Sequence, residues 1–239
     1  MKSSLSQKAY LLIRNKIICH ELKPGDMIDA KSLSETLIIG KTPIREAFLR
    51  LAFEKLLRNE PGKGFFISDI GFSDIKSILE TATILYRAVG ALSPDRIQPH
   101  EIGCLEKTSK ALNKAMVKHD YLKVVLYNSK FHKIINDSIA NPFLSSTADH
   151  IESQYSRLCY LSFSDLSAKN KQDLENHYKK TREDHENMIE ALKNRNPKAM
   201  IQLIDNHLEL FSQQLSKYIK PNEAIIDLTS ISYDQIKKR

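Results

Sequence analysis

The stretch Gly40-Lys41-Thr42-Pro43-Ile44-Arg45-Glu46-Ala47-Phe48 joins a helix start to two cations. Thr42 has the hydroxyl of an N-cap, and Pro43 suits a first helical position, where no amide hydrogen is needed. Lys41 and Arg45 then stand on the exposed leading end, so the helix is built to meet an anion. An arginine fork can read the O6 and N7 of guanine together, whereas lysine presents a single point charge to the same edge. The expected partner is the DNA major groove, because a short helical segment precedes this stretch and a glycine-tipped hairpin follows it.

The elements that must hold those cations are readable from periodicity. Leu5, Ala9, Leu12, Ile13 and Ile17 fall on one face of a helix over residues 5–20, which Pro24-Gly25 brings to a stop. A second helix is expected from Ala30 or Lys31 to Leu37, with Leu33 and Leu37 inward. Ile38-Ile39-Gly40-Lys41 connects it to a capped helix from Pro43 to Leu57. Two short helices so joined suit a helix-turn-helix. Leu56-Leu57-Arg58-Asn59 and Phe65-Phe66-Ile67-Ser68 read as two strands around Glu60-Pro61-Gly62-Lys63-Gly64, in the place of a wing.

Composition bounds the rest. The 239 residues hold 41% apolar side chains, seven glycines and no tryptophan, and helix-period patterns dominate, so a mainly α protein with two domains is expected. No signal peptide and no 18-residue apolar run is present, which argues against export and membrane insertion and for a cytoplasmic protein. Cys19, Cys104 and Cys159 are odd in number and lack CxxC spacing, so reduced thiols, mostly in the core, are expected. The net charge is +7, and residues 1–70 carry 12 Lys and Arg against 8 Asp and Glu while residues 71–239 carry 24 against 21. That bias favours a nucleic-acid partner only slightly.

Asp69-Ile70-Gly71-Phe72-Ser73 reads as a domain boundary. Beyond it Ser73 can cap a helix with Ile75, Ile78, Leu79, Leu85 and Val89 inward that stops near Ser93-Pro94, and further helices are expected at about 100–118, 120–140, 142–163, 170–194 and 197–219. Six helices over this length make a bundle. The expected division is thus a winged helix-turn-helix over 1–70, an all-α effector-binding and dimerisation bundle over 71–220, and a polar tail over 221–239, partly disordered or packed on a partner.

These residues resemble the GntR family of bacterial transcription regulators, in the FadR-like branch with an FCD effector domain of the six-helix, VanR-like variety. The first half carries Leu22-Lys23-Pro24-Gly25-Asp26, Leu33-Ser34-Glu35, Lys41-Thr42-Pro43-Ile44-Arg45-Glu46-Ala47, Leu51 and Gly62-Lys63-Gly64-Phe65. The second carries Asn128-Ser129-Lys130-Phe131-His132, Ala140-Asn141-Pro142, Asp184-His185-Glu186 and Asn206-His207-Leu208. Three departures stand in the first half: Lys41 replaces an arginine, Ile38-Ile39-Gly40 replaces Gly-Val-Ser, and Lys55 replaces a glycine. The resemblance implies DNA contacts from Lys31, Lys41, Thr42, Arg45 and the wing glycine Gly64, and the chemistry of the wing adds Lys63. Of these, Lys31, Thr42 and Lys63 suit phosphate clamping.

In many members of that family an Asp and three His hold a divalent metal, Zn, Ni or Mn, at the floor of an effector pocket. The matching positions here are Asn128, His132, His185 and His207. Periodicity agrees for the histidines, since each falls on the apolar stripe of its own helix, and three buried imidazoles each need a partner that one shared ion could supply. A metal-free polar cluster is the alternative. Asn128 brings no charge and so weakens the site, leaving a place for an anionic effector such as a carboxylate, although Ala82 and Tyr86 stand where the usual carboxylate clamp would be.

The resemblance implies a homodimeric, ligand-responsive repressor on a palindromic operator, not an enzyme. Two other classes compete with it. A metal-dependent hydrolase could use the three histidines, but no acid is identifiable as a general base beside them, with Glu183, Asp184 and Glu186 expected to point to other sides. A DNA-binding protein without an effector would also tolerate Ala82, Tyr86 and Asn128. Ser162, Ser164 and Cys159 lack any nucleophile context, and His20, His100, His119, His150 and His177 read as surface or helix-end residues.

Overall fold

A computed structural model describes residues 4–218, with the side chains of residues 72, 165–169, 217 and 218 outside the description. The chain divides into two compact units, Met1–Gly71 and Phe72–Arg239. Expectations for residues 221–239 fall outside the described residues.

The first unit runs α1 (Leu5–Ile18), β1 (Met27–Ile28), α2 (Ala30–Leu37), α3 (Lys41–Phe53), β2 (Leu57–Glu60) and β3 (Gly64–Ile67). Ser4 caps α1 through Gln7 and Asp29 caps α2 through Ser32. Ala9, Ile13 and Ile17 of α1 meet Ile44, Ala47, Phe48 and Leu51 of α3 in one core, whereas Leu5 is 58% exposed and drops off the expected stripe. A polar clamp reinforces the contact of the two helices. The Tyr10 hydroxyl donates to Glu54 at 2.8 Å, and the Arg50 guanidinium lies 3.6 Å over the Tyr10 ring and donates to Gln7 at 2.7 Å. Burial, with Glu54 adding to it, pushes the Tyr10 phenol up to about 12, so it stays a donor.

The hairpin pairs Leu57 with Ile67 and Glu60 with Gly64. β1 adds an unforeseen third strand, giving the order β1-β3-β2 with Met27 opposite Phe66 and Ile28 opposite Phe65. Two residues are too few for a periodic signal, and their partners lie far along the sequence.

α3 begins earlier than expected. Gly40 takes the N-cap position, no side chain caps the helix, and Thr42 and Pro43 fall at the second and third helical positions. Proline loses nothing there, because none of the first four amides has a partner within the helix. The helix also ends at Phe53, before Leu57, because Lys55 turns the chain into the left-handed region at φ 56°. Ile38, closing α2, does likewise at φ 54°. A side chain at such a position costs roughly 1–2 kcal/mol, most severely for a β-branched residue. Ile38→Gly and Lys55→Gly should therefore each stabilise the first unit by about 1 kcal/mol, read as a higher urea midpoint at unchanged slope. A lower midpoint for both would contradict this account.

The second unit contains α4 (Phe72–Arg96), α5 (Pro99–Val117), α6 (Tyr121–Ser138), α7 (Pro142–Lys169), α8 (Lys171–Lys193) and α9 (Pro197–Tyr218). Its core draws Ala82, Leu85 and Val89 from α4, Phe131 and Ile135 from α6, Met188 and Leu192 from α8, and Met200 and Ile204 from α9. Ser73 lies inside α4 and does not cap it, and the helix passes through Pro94 to Arg96. Its last turn is held from outside, since Arg195 donates to the carbonyls of Pro94 and Asp95, both at 2.9 Å. α7 outruns the expected end at residue 163 and continues to Lys169, no glycine or proline intervening before Asn170 caps α8.

α7 is packed on α4, α6, α8 and α9, and every residue from Ile151 to Cys159 is buried. This segment includes Glu152, Ser153, Gln154, Ser156 and Arg157, the last with 0% exposure. Its polarity hid its central place, because polar side chains break the stripe that marks a helix as buried. Gly90 lets α9 approach α4 closely: a methyl group there would come within 2.6 Å of Ile204 Cδ1.

Candidate functional site

On the first unit, Ile44, Ala47, Phe48 and Leu51 face the core from α3, which leaves Lys41, Thr42, Arg45 and Glu46 outward at and just after its start. Lys31 is exposed near the start of α2. In the hairpin, Gly62 and Gly64 take φ 77° and 103° with open space around each Cα, so backbone conformation and not crowding requires glycine. Lys63 is exposed and pairs with Glu60 at 3.2 Å. That carboxylate also binds Arg58 and is held below the usual range, Lys63 being the main cause. An exposed pair of this kind is weak and yields readily to a phosphate.

On the second unit, α6, α8 and α9 bring His132, His185 and His207 together, with one ring nitrogen from each lying within 4.8 Å of the others. The ring centroids are 5.3 Å apart for His132 and His185, 5.2 Å for His132 and His207, and 5.0 Å for His185 and His207. Phe131 stacks on His185 at 4.0 Å with its plane only 5° away, fixing that ring. Burial, then the neighbouring His207, pushes His132 down to about 3. Burial and both other histidines likewise hold His185 well below its ordinary value. Both imidazoles are thus neutral, with lone pairs to offer.

Whether these residues fit a metal can be judged from their unmet needs. Both ring nitrogens of His185 are buried and make no hydrogen bond among the described residues. Nitrogen donors from three imidazoles suit Zn or Ni, and donor separations near 3.3 Å, which follow from bonds of about 2.0–2.1 Å, require the rings to draw in from separations that reach up to 4.8 Å. The three histidines therefore fit a divalent ion of this kind.

Asp184 does not point away, as its sequence position implied: its Oδ2 lies 3.0 Å from His207 Nδ1. A carboxylate only accepts, so Nδ1 carries the hydrogen and Nε2 is left to bind a cation. Sequence spacing could not reveal this, because the contact crosses from α8 to α9. Asn128 lies one turn before His132 and lines a pocket shared with Tyr155, Cys159, His177, Thr181 and His207. His177 is therefore a buried residue and not a surface one. Among the thiols only Cys159 is in the core, with Cys104 exposed and Cys19 half-buried. Ser162 and Ser164 donate back to carbonyls of their own helix, at 3.0 and 3.1 Å.

His207 and Tyr155 also line a second pocket, bounded by Tyr86, Val89, His132, Asn136, Glu152 and Met188. Ala82 is wholly buried, and Tyr86 donates from its hydroxyl to Glu152 at 2.8 Å.

Residues 77–210 match the FCD domain, and residues 5–67 match the family described as bacterial regulatory proteins, gntR family. The chain belongs to the GntR family, in its FCD-bearing branch. It is 26% identical over 143 residues to the HTH-type transcriptional regulator YdhC of Bacillus subtilis (strain 168), covering 59% of this chain and 64% of YdhC. It is 19% identical over 218 residues to the HTH-type transcriptional repressor RspR of Escherichia coli (strain K12), covering 91% and 92% of the two chains. The match to E. coli McbR spans 63% of that regulator in sequence. In structure it covers 90% of this chain and 99% of McbR with a TM-score of 0.77 at 21% identity, a likeness of fold. Among the described residues no helix is long and apolar enough to cross a membrane.

Proposed function

We propose that this protein is a ligand-responsive transcriptional repressor that binds a palindromic operator as a homodimer. The observation that carries this reading is the exposed start of α3, where Lys41, Thr42 and Arg45 face outward while the opposite face is locked into the core. Arg45 reads base edges, Lys41 reads them less selectively, and Lys31, Lys63 and the Gly64 backbone position the head on phosphates. A single head makes too few contacts for high specificity, which two symmetric copies on an inverted repeat provide. Repression is supported by the name given to RspR.

In the second unit, His132, His185 and His207 hold a divalent ion, with Asp184 orienting His207, while Asn128 or solvent completes the coordination. The ion would act as a Lewis acid that anchors an effector in the adjoining cavity. Ligand binding shifts the balance between head arrangements by its differential affinity for them. Selection of binding sites from random duplex by the full chain, at physiological salt, should enrich an inverted repeat. Equal affinity for the enriched repeat and for unselected duplex would overturn the reading.

A further inference from the structure

We propose that Leu49 is a specificity residue of α3: it rests against the 5-methyl group of a thymine in the major groove and so selects a T·A pair near the base read by Arg45. The inference rests on reading the exposed face of α3 as the surface that enters the groove.

Scattered exposed leucines are ordinary on a protein surface and need no partner. Leu49 stands apart through its place. It is 63% exposed, although Ile44, Ala47, Phe48 and Leu51 of the same helix lie in the core. At about 100° per residue, it projects within roughly 20° of Thr42 and 40° of Arg45. It therefore shares the outward face with the side chains that bring charge and hydrogen bonds, one turn beyond Arg45. Four residues advance about 6 Å along the helix axis, or about two steps of the 3.4 Å base stack. The next residue, Arg50, does not cover it, being turned back onto Tyr10, Gln7 and Glu54.

Chemistry then decides which base pair suits this position. A leucine side chain has neither donor nor acceptor, so pressing it on the polar edge of guanine, cytosine or adenine removes water and returns no hydrogen bond. Thymine alone presents a methyl group in the major groove. Burying that methyl against Leu49 takes apolar surface of both partners out of water. One contact thus attracts one base and penalises the others.

Replacing thymine by uracil deletes the methyl and leaves the base pair intact. In the inverted repeat selected by the full chain, each symmetric pair of thymines is replaced in turn, and affinity is measured for the parent and for Leu49→Ala. One such pair, within about three base pairs of the base that Arg45→Ala ceases to select, should be sensitive. Its replacement should cost the parent about fourfold per half-site and on the order of tenfold for both, and cost Leu49→Ala less than about twofold. Comparing two proteins on the same duplexes cancels any effect of uracil on DNA shape. Leu49→Ala should also keep the parent's salt dependence, since it gives up no phosphate contact. A repeat with no preferred thymine at that distance, a parent indifferent to every replacement, or an equal loss in Leu49→Ala overturns the assignment and leaves DNA reading by Arg45 in place. Indifference to uracil together with a Leu49→Ala protein that falls apart into monomers marks Leu49 as a contact between subunits and likewise overturns it. Failure of the full chain to enrich any repeat overturns the DNA-reading assignment as well.

Discussion

Arg45→Ala protein should lose its selected operator almost entirely while folding normally. One bidentate arginine contact to a base pair is worth about 1–3 kcal/mol of discrimination, and the proposed dimer on an inverted repeat would forfeit it twice. The expected fall is therefore roughly 30-fold to more than 10⁴-fold, and non-specific duplex should be affected far less. Because Arg45 is exposed and its helix is anchored through Ile44, Phe48 and Leu51, the unfolding midpoint should be unchanged within about 0.5 kcal/mol. Lys31→Ala and Lys63→Ala should weaken specific and random duplex alike and lower the salt dependence by about one unit for each phosphate no longer neutralised. Operator affinity in Arg45→Ala equal to that of the parent would remove the foundation of the DNA-reading assignment.

The second large effect concerns acid and metal. His132 and His185 are neutral in the folded protein at pH values where an unfolded chain, with histidines near 6.5, takes up protons. Where the unfolded state binds more protons, stability rises with pH, so the metal-free protein is at full strength above about 6.5 and weakens on acidification towards 3. The slope is about 1.4 kcal/mol per pH unit for each such histidine, and on this order the chelated protein should lose a few kcal/mol by pH 5. Zinc or nickel at about a hundredfold excess over its dissociation constant adds about 2.7 kcal/mol at neutral pH, and that gain fades as protons compete for the same nitrogens. His185→Leu should abolish the metal gain and reduce the acid limb to the part that His132 contributes. A thermal midpoint indifferent both to metal at pH 7.5 and to acidification to pH 5 would refute both halves of the argument.

Helix existence was largely legible because burial leaves a 3.6-residue imprint: Ile75, Ile78, Leu79, Leu85 and Val89 are all buried as their spacing implies. The expected inward faces of the three histidine helices follow from the same imprint. What escaped depends on partners remote in sequence or on backbone shape. Thr42 looks like a cap because of its hydroxyl, yet Gly40 holds that position, and the choice turns on how Ile38 and Ile39 leave α2. The Tyr10–Glu54 contact and the Asp184–His207 contact join residues 44 and 23 positions apart. Glu152 was invisible as a cavity residue because α7 reads as half polar.

Glu152, Tyr155 and Cys159 recur at intervals of three and four along α7, so a single row of that helix furnishes walls to both chambers. If the proposed function holds, ligand preference can drift through substitutions along one row, each concealed from solvent, while the exposed start of α3 stays as it is. A lineage could thus acquire a new inducer without relearning its operator.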